Sequence, residues 1–138
     1  MRRVGLGAAS AMLLVGTALA LGAPGAASSA SAGMSPASGK TVKSIVRDVG
    51  LMVPARCVVA EQARSNRSWA AYSLTTGAGC NPGDGYTVVQ RSGGKRNALP
   101  IGGSSVPCSY LKSQLANAGA PKSVYRDFKA GKYCVKGE

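Results

Sequence analysis

The stretch of sequence that decides the fold runs from Ser68 to Ile101 and reads SWAAYSLTTGAGCNPGDGYTVVQRSGGKRNALPI. Runs that alternate apolar with polar residues flank Gly93-Gly94. Adjacent glycines between two such runs are typical of a two-residue β-hairpin turn, because tight hairpin turns need positive φ angles. The stretch therefore predicts a β-hairpin that turns at these glycines. A further strand over residues 69 to 75 precedes a glycine-rich loop over residues 75 to 85.

The turn fixes which residues of the hairpin lie opposite one another. Cross-strand partners share a face of the sheet, so the pairs of Val88 and Tyr86 form one apolar side, and the pair of Val89 lies on the other side with the two arginines. Pro100 has no amide proton, which predicts an edge strand or the end of a strand. The predicted pairs are Ser92 with Lys95, Arg91 with Arg96, Val89 with Ala98, Val88 with Leu99, and Tyr86 with Ile101.

Three basic residues, Arg91, Lys95 and Arg96, cluster at the tip of this hairpin. Like charges on facing strands repel one another. The nearest acidic residue in the sequence, Asp84, lies at the far end of the strand. A bound anion would relieve the repulsion, so we predict that the three residues bind an anionic partner.

Helices are predicted on both sides of the strands in the sequence. Apolar residues before the first strand recur at the i, i+3, i+4 and i+7 spacing of one helix face, with Ser38 or Thr41 placed to cap the start and Gly50 to end the helix. After the hairpin, Pro121 is placed to begin a second of two short helices. The apolar residues concerned are Val42, Ile45, Val46 and Val49 in the first helix, Leu111 and Leu115 in the next, and Val124, Tyr125 and Phe128 in the last.

These elements predict one fold class for the whole domain. A strand from Arg56 to Gln62 turns at Ser65-Asn66-Arg67 into the strand that begins at Trp69. We interpret Trp69 as a buried anchor, with an exposed stacking platform for a ligand as the alternative. The chain is thus an α+β protein: an N-terminal helix, a four-stranded antiparallel sheet and one or two short C-terminal helices.

Residues 1 to 32 have the pattern of a signal peptide. Arg2-Arg3 precedes an apolar run over residues 4 to 21, and Ala30-Ser31-Ala32 fits a small-x-small cleavage site. A transmembrane anchor is the alternative, but glycines in the run argue against it. We therefore predict a secreted, extracellular protein with a flexible lead over residues 33 to 40, one domain over residues 41 to 138 and no membrane span in the mature chain.

Four cysteines in a short exported chain predict two disulfides, for which three pairings are open. Cys57 opens the first strand and Cys80 follows the second, and an antiparallel pair of strands brings those two ends together. The favoured pairing is therefore Cys57–Cys80, which leaves Cys108–Cys134 to join the C-terminal helices to the end of the sheet.

Between residues 57 and 134 the chain contains the short motifs Trp69-Ala70, Gly79-Cys80, Gly83-Asp84-Gly85, Val88-Val89, Cys108, Pro121, Val124, Asp127 and Cys134. Together these motifs resemble those of small uncharacterised exported proteins of actinobacteria. These motifs are turns, core positions and cysteines, so the resemblance implies no activity. The chain departs from that pattern at Arg96-Asn97, where the group often has a tryptophan after the glycine turn.

The composition excludes several kinds of catalytic site. The chain has no histidine, so it cannot form Ser–His or Cys–His pairs or histidine-based zinc sites. Glu61 and Asp84 are the carboxylates that packing of the strands could bring together, as in two-carboxylate glycosidases. Asp48 and Asp127 are interpreted as surface residues of helices. We predict a protein that is not an enzyme, a small hydrolase being the weakest alternative.

No cofactor or metal site is predicted. The segment NPGDG at residues 81 to 85 has two oxygen-bearing side chains but lacks the ligand spacing of a calcium loop, and asparagine and aspartate favour turns. The glycines do not form a phosphate-binding loop either, because the GxxxxGK[ST] pattern is missing.

The charge is the remaining indication of function. Lys and Arg number 17 against five Asp and Glu, a net charge of +12 that becomes +10 when Arg2 and Arg3 leave with the signal peptide. Such a charge favours an anionic cell-wall polymer or an acidic protein as the partner, while the simplest alternative is that it only maintains solubility. No nucleic-acid-binding motif accompanies it, so we expect no specific nucleic acid. The sequence does not predict an oligomeric state.

The alternative function is a proteinase-inhibitor-like binding module. Exported domains tied by disulfides often present a rigid loop to an enzyme, because a preorganised loop loses less entropy on binding. The candidate loops are Gly79 to Gly85, beside Cys80, and Ser104 to Leu111, around Cys108.

Overall fold

The computed structural model describes residues 33 to 137, which form a five-stranded antiparallel sheet with helices on both faces. The α+β class is thereby confirmed, while the predicted signal peptide lies outside the described residues. A 3-10 turn at Ala55–Cys57 leads into the second strand. The elements are β1 (Met34–Pro36), α1 (Gly39–Val49), β2 (Val58–Ala63), β3 (Trp69–Leu74), β4 (Tyr86–Ser92), β5 (Lys95–Gly103), α2 (Cys108–Asn117) and α3 (Lys122–Ala130).

The sheet has one strand more than the four that the sequence predicts. β1 pairs with β2, placing Met34 opposite Ala63 and Pro36 opposite Glu61. This strand lies within residues 33 to 40, the stretch predicted as a lead, so α1 is the second element rather than the first. Three residues are too few to show an alternating pattern, and pairing with β2 is what makes them a strand.

Helix α1 covers one face of the sheet. Its start is capped by Ser38, whose hydroxyl accepts a hydrogen bond from the amide of Thr41, and it ends at Gly50, whose φ of 76° is left-handed. The predicted apolar face packs on a small cluster built around Ile45 and Val89.

Helices α2 and α3 cover the opposite face and enclose the main core. Val88, next to Val89 in β4, belongs to this core, so consecutive residues of one strand pack on opposite layers. Trp69 is 2 % exposed and is a buried anchor, as predicted. The helices contribute Leu111, Leu115, Val124 and Phe128.

The hairpin pairs as predicted near its turn and differs from the prediction farther away. The predicted pairs Ser92–Lys95, Arg91–Arg96 and Val89–Ala98 are confirmed. Farther from the turn β5 bulges, so that Thr87 lies opposite Gly102 and Tyr86 opposite Gly103. The predicted pair Tyr86–Ile101 is therefore wrong, and Val88, predicted to lie opposite Leu99, is where the register shifts.

The physical reason for the bulge lies in β5 itself. Pro100 cannot donate a ladder hydrogen bond, and β5 is an edge strand as predicted. The backbones then meet so closely at Gly102 that an added Cβ would lie 1.9 Å from the carbonyl oxygen of Tyr86. Since the register shifts by two residues, the side-chain alternation is preserved, and Ile101 still packs in the main core with Val88.

Both predicted disulfides are confirmed. Cys57–Cys80 joins the 3-10 turn before β2 to the loop after β3 with a Cα–Cα distance of 5.5 Å. Cys108–Cys134 joins the first residue of α2 to the C-terminal tail with a Cα–Cα distance of 4.8 Å. Between residues 33 and 137, every helix is too short or too polar to cross a membrane.

Asp127 is buried, at 1 % exposure, so the prediction of a surface residue is wrong. Its Oδ1 accepts a hydrogen bond of 2.8 Å from the amide of Gly33, and its Oδ2 accepts one of 2.8 Å from the amide of Ser65. The hydroxyl of Ser65 donates to the same Oδ2. Asp127 thus joins α3 to the residue before β1 and to the β2–β3 turn, and these donors stabilise its charge in the interior.

Candidate anion-binding site

A basic cleft lies between α1 and the hairpin of β4 and β5. It consists of two adjoining cavities of about 360 and 330 Å³, and Thr41, Arg91 and Arg96 line both. We call it the arginine cleft. Its basic side chains are Lys40, Arg47, Arg67, Arg91 and Arg96, and Asp48 is the acidic one.

The hairpin brings two of the three predicted binding residues into the arginine cleft. Arg91 lies opposite Arg96 across the two strands, as predicted. The two differ in burial: Arg91 is exposed, whereas Arg96 is 6 % exposed because α1 packs against β5 over it. Lys95 is exposed and lines neither cavity. The predicted position of Arg96 opposite Arg91 is confirmed, and its burial is a feature that the hairpin pattern alone does not predict.

Arg96 is held in the protein but incompletely paired. Its backbone amide donates to Oδ2 of Asp48 at 3.1 Å, and its Nε donates to the hydroxyl of Ser44 at 3.1 Å. Its buried Nη1 has no hydrogen-bond partner among the described residues. A buried donor without a partner is costly, and for a charged group more so.

The electrostatic environment of Arg96 is set by its burial and by its neighbours. Burial and the nearby charge of Arg91 lower the pKa of Arg96, and the carboxylate of Asp48 raises it. A guanidinium nevertheless keeps its proton at neutral pH. The arginine cleft therefore holds two facing positive charges, one of them largely removed from solvent.

Asp48 offsets only part of that charge. Its side chain is 8 % exposed and forms an ion pair of 2.9 Å with Nε of Arg47, so this helix residue is partly covered by its neighbours. The hydrogen bond from Arg47 and the backbone hydrogen bond from Arg96 lower the pKa of Asp48. Both carboxylate oxygens are thus engaged by the protein, and with one acidic side chain against five basic ones the cleft remains positive.

The larger cavity has a second wall of neutral polar side chains. Ser38 and Thr41, in the first turn of α1, place the positive end of the helix dipole beside it. The remaining neutral polar residues of this wall come from β1, from β2 and from the turn before β3: Ser35, Gln62 and Ser68. The sequence did not predict that these residues lie together, because Ser35 reaches the cavity only through the pairing of β1 with β2.

The carboxylates considered for catalysis lie outside the arginine cleft. Glu61 accepts a hydrogen bond from the hydroxyl of Tyr133, in the segment after α3. Asp84 is exposed in the loop before β4. Across residues 33 to 137, no group of three or more His, Cys, Asp or Glu residues could hold a metal ion.

The two loops considered for an inhibitor differ in structure. The loop over residues 79 to 85 is mostly exposed, and the Cys57–Cys80 disulfide holds its start. Arg56 supports the loop further, since its Nη1 donates to the carbonyl of Ala78 at 2.6 Å. The segment over residues 104 to 111 is an extended loop only in its first half, because α2 begins at Cys108.

Comparison with known proteins finds no matching family model, no matching curated protein and no matching solved structure. The resemblance to exported actinobacterial proteins rests on short motifs of turns and cysteines, so it stays a prediction. The chemistry of the arginine cleft is consequently the best guide to function.

Proposed function

We propose that the protein is an exported, non-enzymatic module that binds an anionic envelope polymer at the arginine cleft. The observation that carries the proposal is the state of Arg96, a buried guanidinium that lines both cavities and has an unpartnered Nη1 among the described residues. An anion in the cleft would supply the charge that the protein does not. Phosphate suits this role because guanidinium groups bind its oxygens through charge-assisted hydrogen bonds.

The carboxylates support a binding role rather than catalysis. Asp48, Glu61 and Asp127 all accept hydrogen bonds from other parts of the chain, which commits them to the fold. Asp84 is exposed, and the chain has no histidine to act as a general base. General acid–base catalysis needs positioned groups that are free to exchange protons with a substrate.

Export is supported by two independent features. The first 32 residues have the charge, apolar run and cleavage pattern of a signal peptide. The four cysteines form two disulfides, which persist in oxidising compartments and are rare in the cytosol. An anionic polymer of the cell envelope is a partner that such a protein would meet.

The experiment is a binding titration with purified anionic cell-wall polymer across a salt series. The protein is the full chain, expressed with its own leader and purified in the oxidised state. An Arg91→Gln/Arg96→Met variant should lower the slope of log K against log salt by roughly one unit for each phosphate group that it no longer binds. The matched control is Lys122→Gln/Lys129→Gln, which removes the same charge from exposed positions of α3.

The control should bind nearly as the parent does, because its lysines lie on the opposite side of the sheet. Equal slopes for the parent and the arginine variant would overturn the proposal. Binding of an acidic protein instead of the polymer, with the same dependence on Arg91 and Arg96, would assign the cleft to an acidic partner.

A proteinase-inhibitor-like module is the second candidate, and the exposed loop over residues 79 to 85 favours it. The Cys57–Cys80 disulfide and Arg56 hold the start of that loop. A loop-in-cleft complex should change little with salt, whereas polyanion binding should weaken steeply. Inhibition of an extracellular proteinase that survives the Arg91→Gln/Arg96→Met change would support this candidate.

A further inference from the structure

We infer that the ligand of the arginine cleft is a phosphodiester linked to a hydroxyl-bearing unit, such as a polyol or a sugar. The inference rests on the proposed function and narrows it from anionic polymers in general to one chemical class. It follows from the different linings of the two cavities that meet at Arg91 and Arg96.

The phosphate position is the junction of the two cavities. Arg91 and Arg96 line both cavities, so positive charge is densest there. Arg96 is only 6 % exposed and its buried Nη1 is unpartnered among the described residues, so its charge is incompletely compensated and an anion at the junction would stabilise it by charge attraction. Thr41, near the N-terminus of α1, lines the same junction and adds a hydroxyl donor.

The larger cavity extends from that junction along a wall that recognises hydroxyl groups. Ser35 and Ser68 each carry a hydroxyl, which both donates and accepts hydrogen bonds. Gln62 donates its side-chain amide to the carbonyl of Arg67 at 3.2 Å, so its side-chain oxygen remains as an acceptor. A hydroxyl of a polyol or a sugar can donate a hydrogen bond to that oxygen, whereas a ligand made only of ionised phosphates offers acceptors alone.

The smaller cavity lets the chain of the polymer continue past the junction. Its lining includes Lys40 and Arg47 on α1 and Gly94 in the hairpin turn. Two basic side chains beyond the junction match the next phosphate of a repeating polymer. The cleft therefore fits an internal phosphodiester, with a hydroxyl-bearing unit on one side and a further phosphate on the other.

The test is isothermal titration of the full oxidised chain with three probes of equal charge: a glycerol phosphate oligomer, inorganic polyphosphate and oligoglutamate. We expect Ser35→Ala/Ser68→Ala to weaken binding of the glycerol phosphate oligomer by about fivefold, on the usual range for neutral hydrogen bonds. Binding of polyphosphate should stay unchanged, because phosphates alone do not need these hydroxyls. Ser113→Ala, at an exposed position of α2, is the matched control and should change neither affinity.

The outcomes separate this inference from the proposed function. If the serine variant binds both phosphate probes as the parent does, or binds both more weakly by the same factor, recognition of hydroxyls is overturned. Even then, loss of binding of both the glycerol phosphate oligomer and polyphosphate by Arg96→Met would still support anion binding at the cleft. Tightest binding of oligoglutamate would overturn the phosphate class, and binding of none of the three probes would overturn both proposals. Ser35→Thr/Ser68→Thr keeps the hydroxyls and should retain most of the parent affinity, which distinguishes recognition of hydroxyls from a folding defect in the alanine variant.

Discussion

Asp127 and Arg96 are the two buried charged residues of the described chain, and they differ in how their charges are satisfied. Asp127, on the side of α2 and α3, accepts hydrogen bonds from the amides of Gly33 and Ser65 and from the hydroxyl of Ser65. Arg96, on the side of α1, donates from its Nε to Ser44 but has an unpartnered Nη1 among the described residues. One charge is enclosed by protein donors and the other borders two cavities.

We infer from this difference that Asp127 has a structural role, and the proposal gives Arg96 a binding role. A buried charge whose hydrogen bonds are complete stabilises one arrangement of the chain, and its removal is costly. A buried charge whose hydrogen bonds are incomplete beside a cavity contributes less to stability and gains most from a ligand. We therefore expect changes at Asp127 to lower stability and changes at Arg96 to lower binding.

The largest effect should come from opening both disulfides, because they hold the frame in which both charges are buried. The closed loops span 23 and 26 residues. Each cross-link should contribute about 3 kcal/mol by limiting the unfolded chain. Thermal unfolding in excess reductant should show a strongly destabilised or unfolded domain. Unchanged thermal stability would show that the cysteines do not stabilise this fold.

Replacing Asp127 by asparagine should give the next largest effect. The substitution keeps the shape but turns an acceptor into a donor that faces the amides of Gly33 and Ser65. We expect a decrease of about 2–4 kcal/mol in the free energy of unfolding, measured by urea titration. Asp84→Asn is the control at an exposed position and should cost almost nothing. Equal stability of the two variants would contradict a structural role for Asp127.

A smaller effect on stability should appear at alkaline pH, where two tyrosines that pack against the main core ionise. Burial raises the pKa of Tyr86 to about 12. Burial, with a hydrogen bond to Glu61, raises the pKa of Tyr133. Raised pKa values mean that ionisation favours the unfolded chain. The contribution of the two neutral tyrosines to the free energy of unfolding is intact below about pH 10, and it is lost as the pH rises toward their pKa values in the folded protein.

The measurement is the free energy of unfolding against pH. Tyr86→Phe should reduce the alkaline loss of stability by about 1 kcal/mol, allowing for the partial exposure of this side chain. It should cost little at neutral pH, because the hydroxyl of Tyr86 is buried without a partner among the described residues. Tyr133→Phe should cost more, since it removes the hydrogen bond to Glu61. Greater destabilisation by Tyr86→Phe at neutral pH would contradict this assignment.

The smallest effect should come from Lys95→Ala. Lys95 is exposed at the hairpin turn and lines neither cavity of the arginine cleft. Stability should change by less than about 0.5 kcal/mol, as is usual for surface positions. Affinity for the glycerol phosphate oligomer should fall less than it does in Arg91→Ala, measured at one salt concentration. A larger fall for Lys95→Ala would place the site at the hairpin tip instead of in the cleft.

Local patterns were sufficient to predict much of the fold. Two adjacent glycines defined the turn and hence that Arg91 faces Arg96, and the spacing of apolar residues defined α1. The positions of the cysteines relative to the strand ends indicated both disulfide pairings. Each of these features depends on residues that are close in sequence or on the geometry of one strand pair.

The remaining features depend on contacts between distant parts of the chain. The hairpin register shows that Arg96 shares a face with Arg91, but only the position of α1 against β5 buries it. β1 has too few residues to carry a pattern, and with it the Ser35 side of the cleft was missed. Asp127 follows Val124 by three residues and so lies on the buried face of α3, but a carboxylate there needs partners to be buried, and those partners lie 94 and 62 residues away.

The most direct test of the central claim is one variant, Arg96→Met, measured for both stability and binding. Methionine fills similar space without a charge, and the backbone hydrogen bond to Asp48 does not depend on the side chain. We expect a free energy of unfolding within about 1 kcal/mol of the parent, or higher, because replacing an incompletely paired buried charge by an apolar group is often neutral or stabilising. Affinity for the glycerol phosphate oligomer should fall by about tenfold or more, as expected when a charge-assisted hydrogen bond is removed. Unchanged affinity, or a decrease in stability as large as that of Asp127→Asn, would contradict a binding role for Arg96.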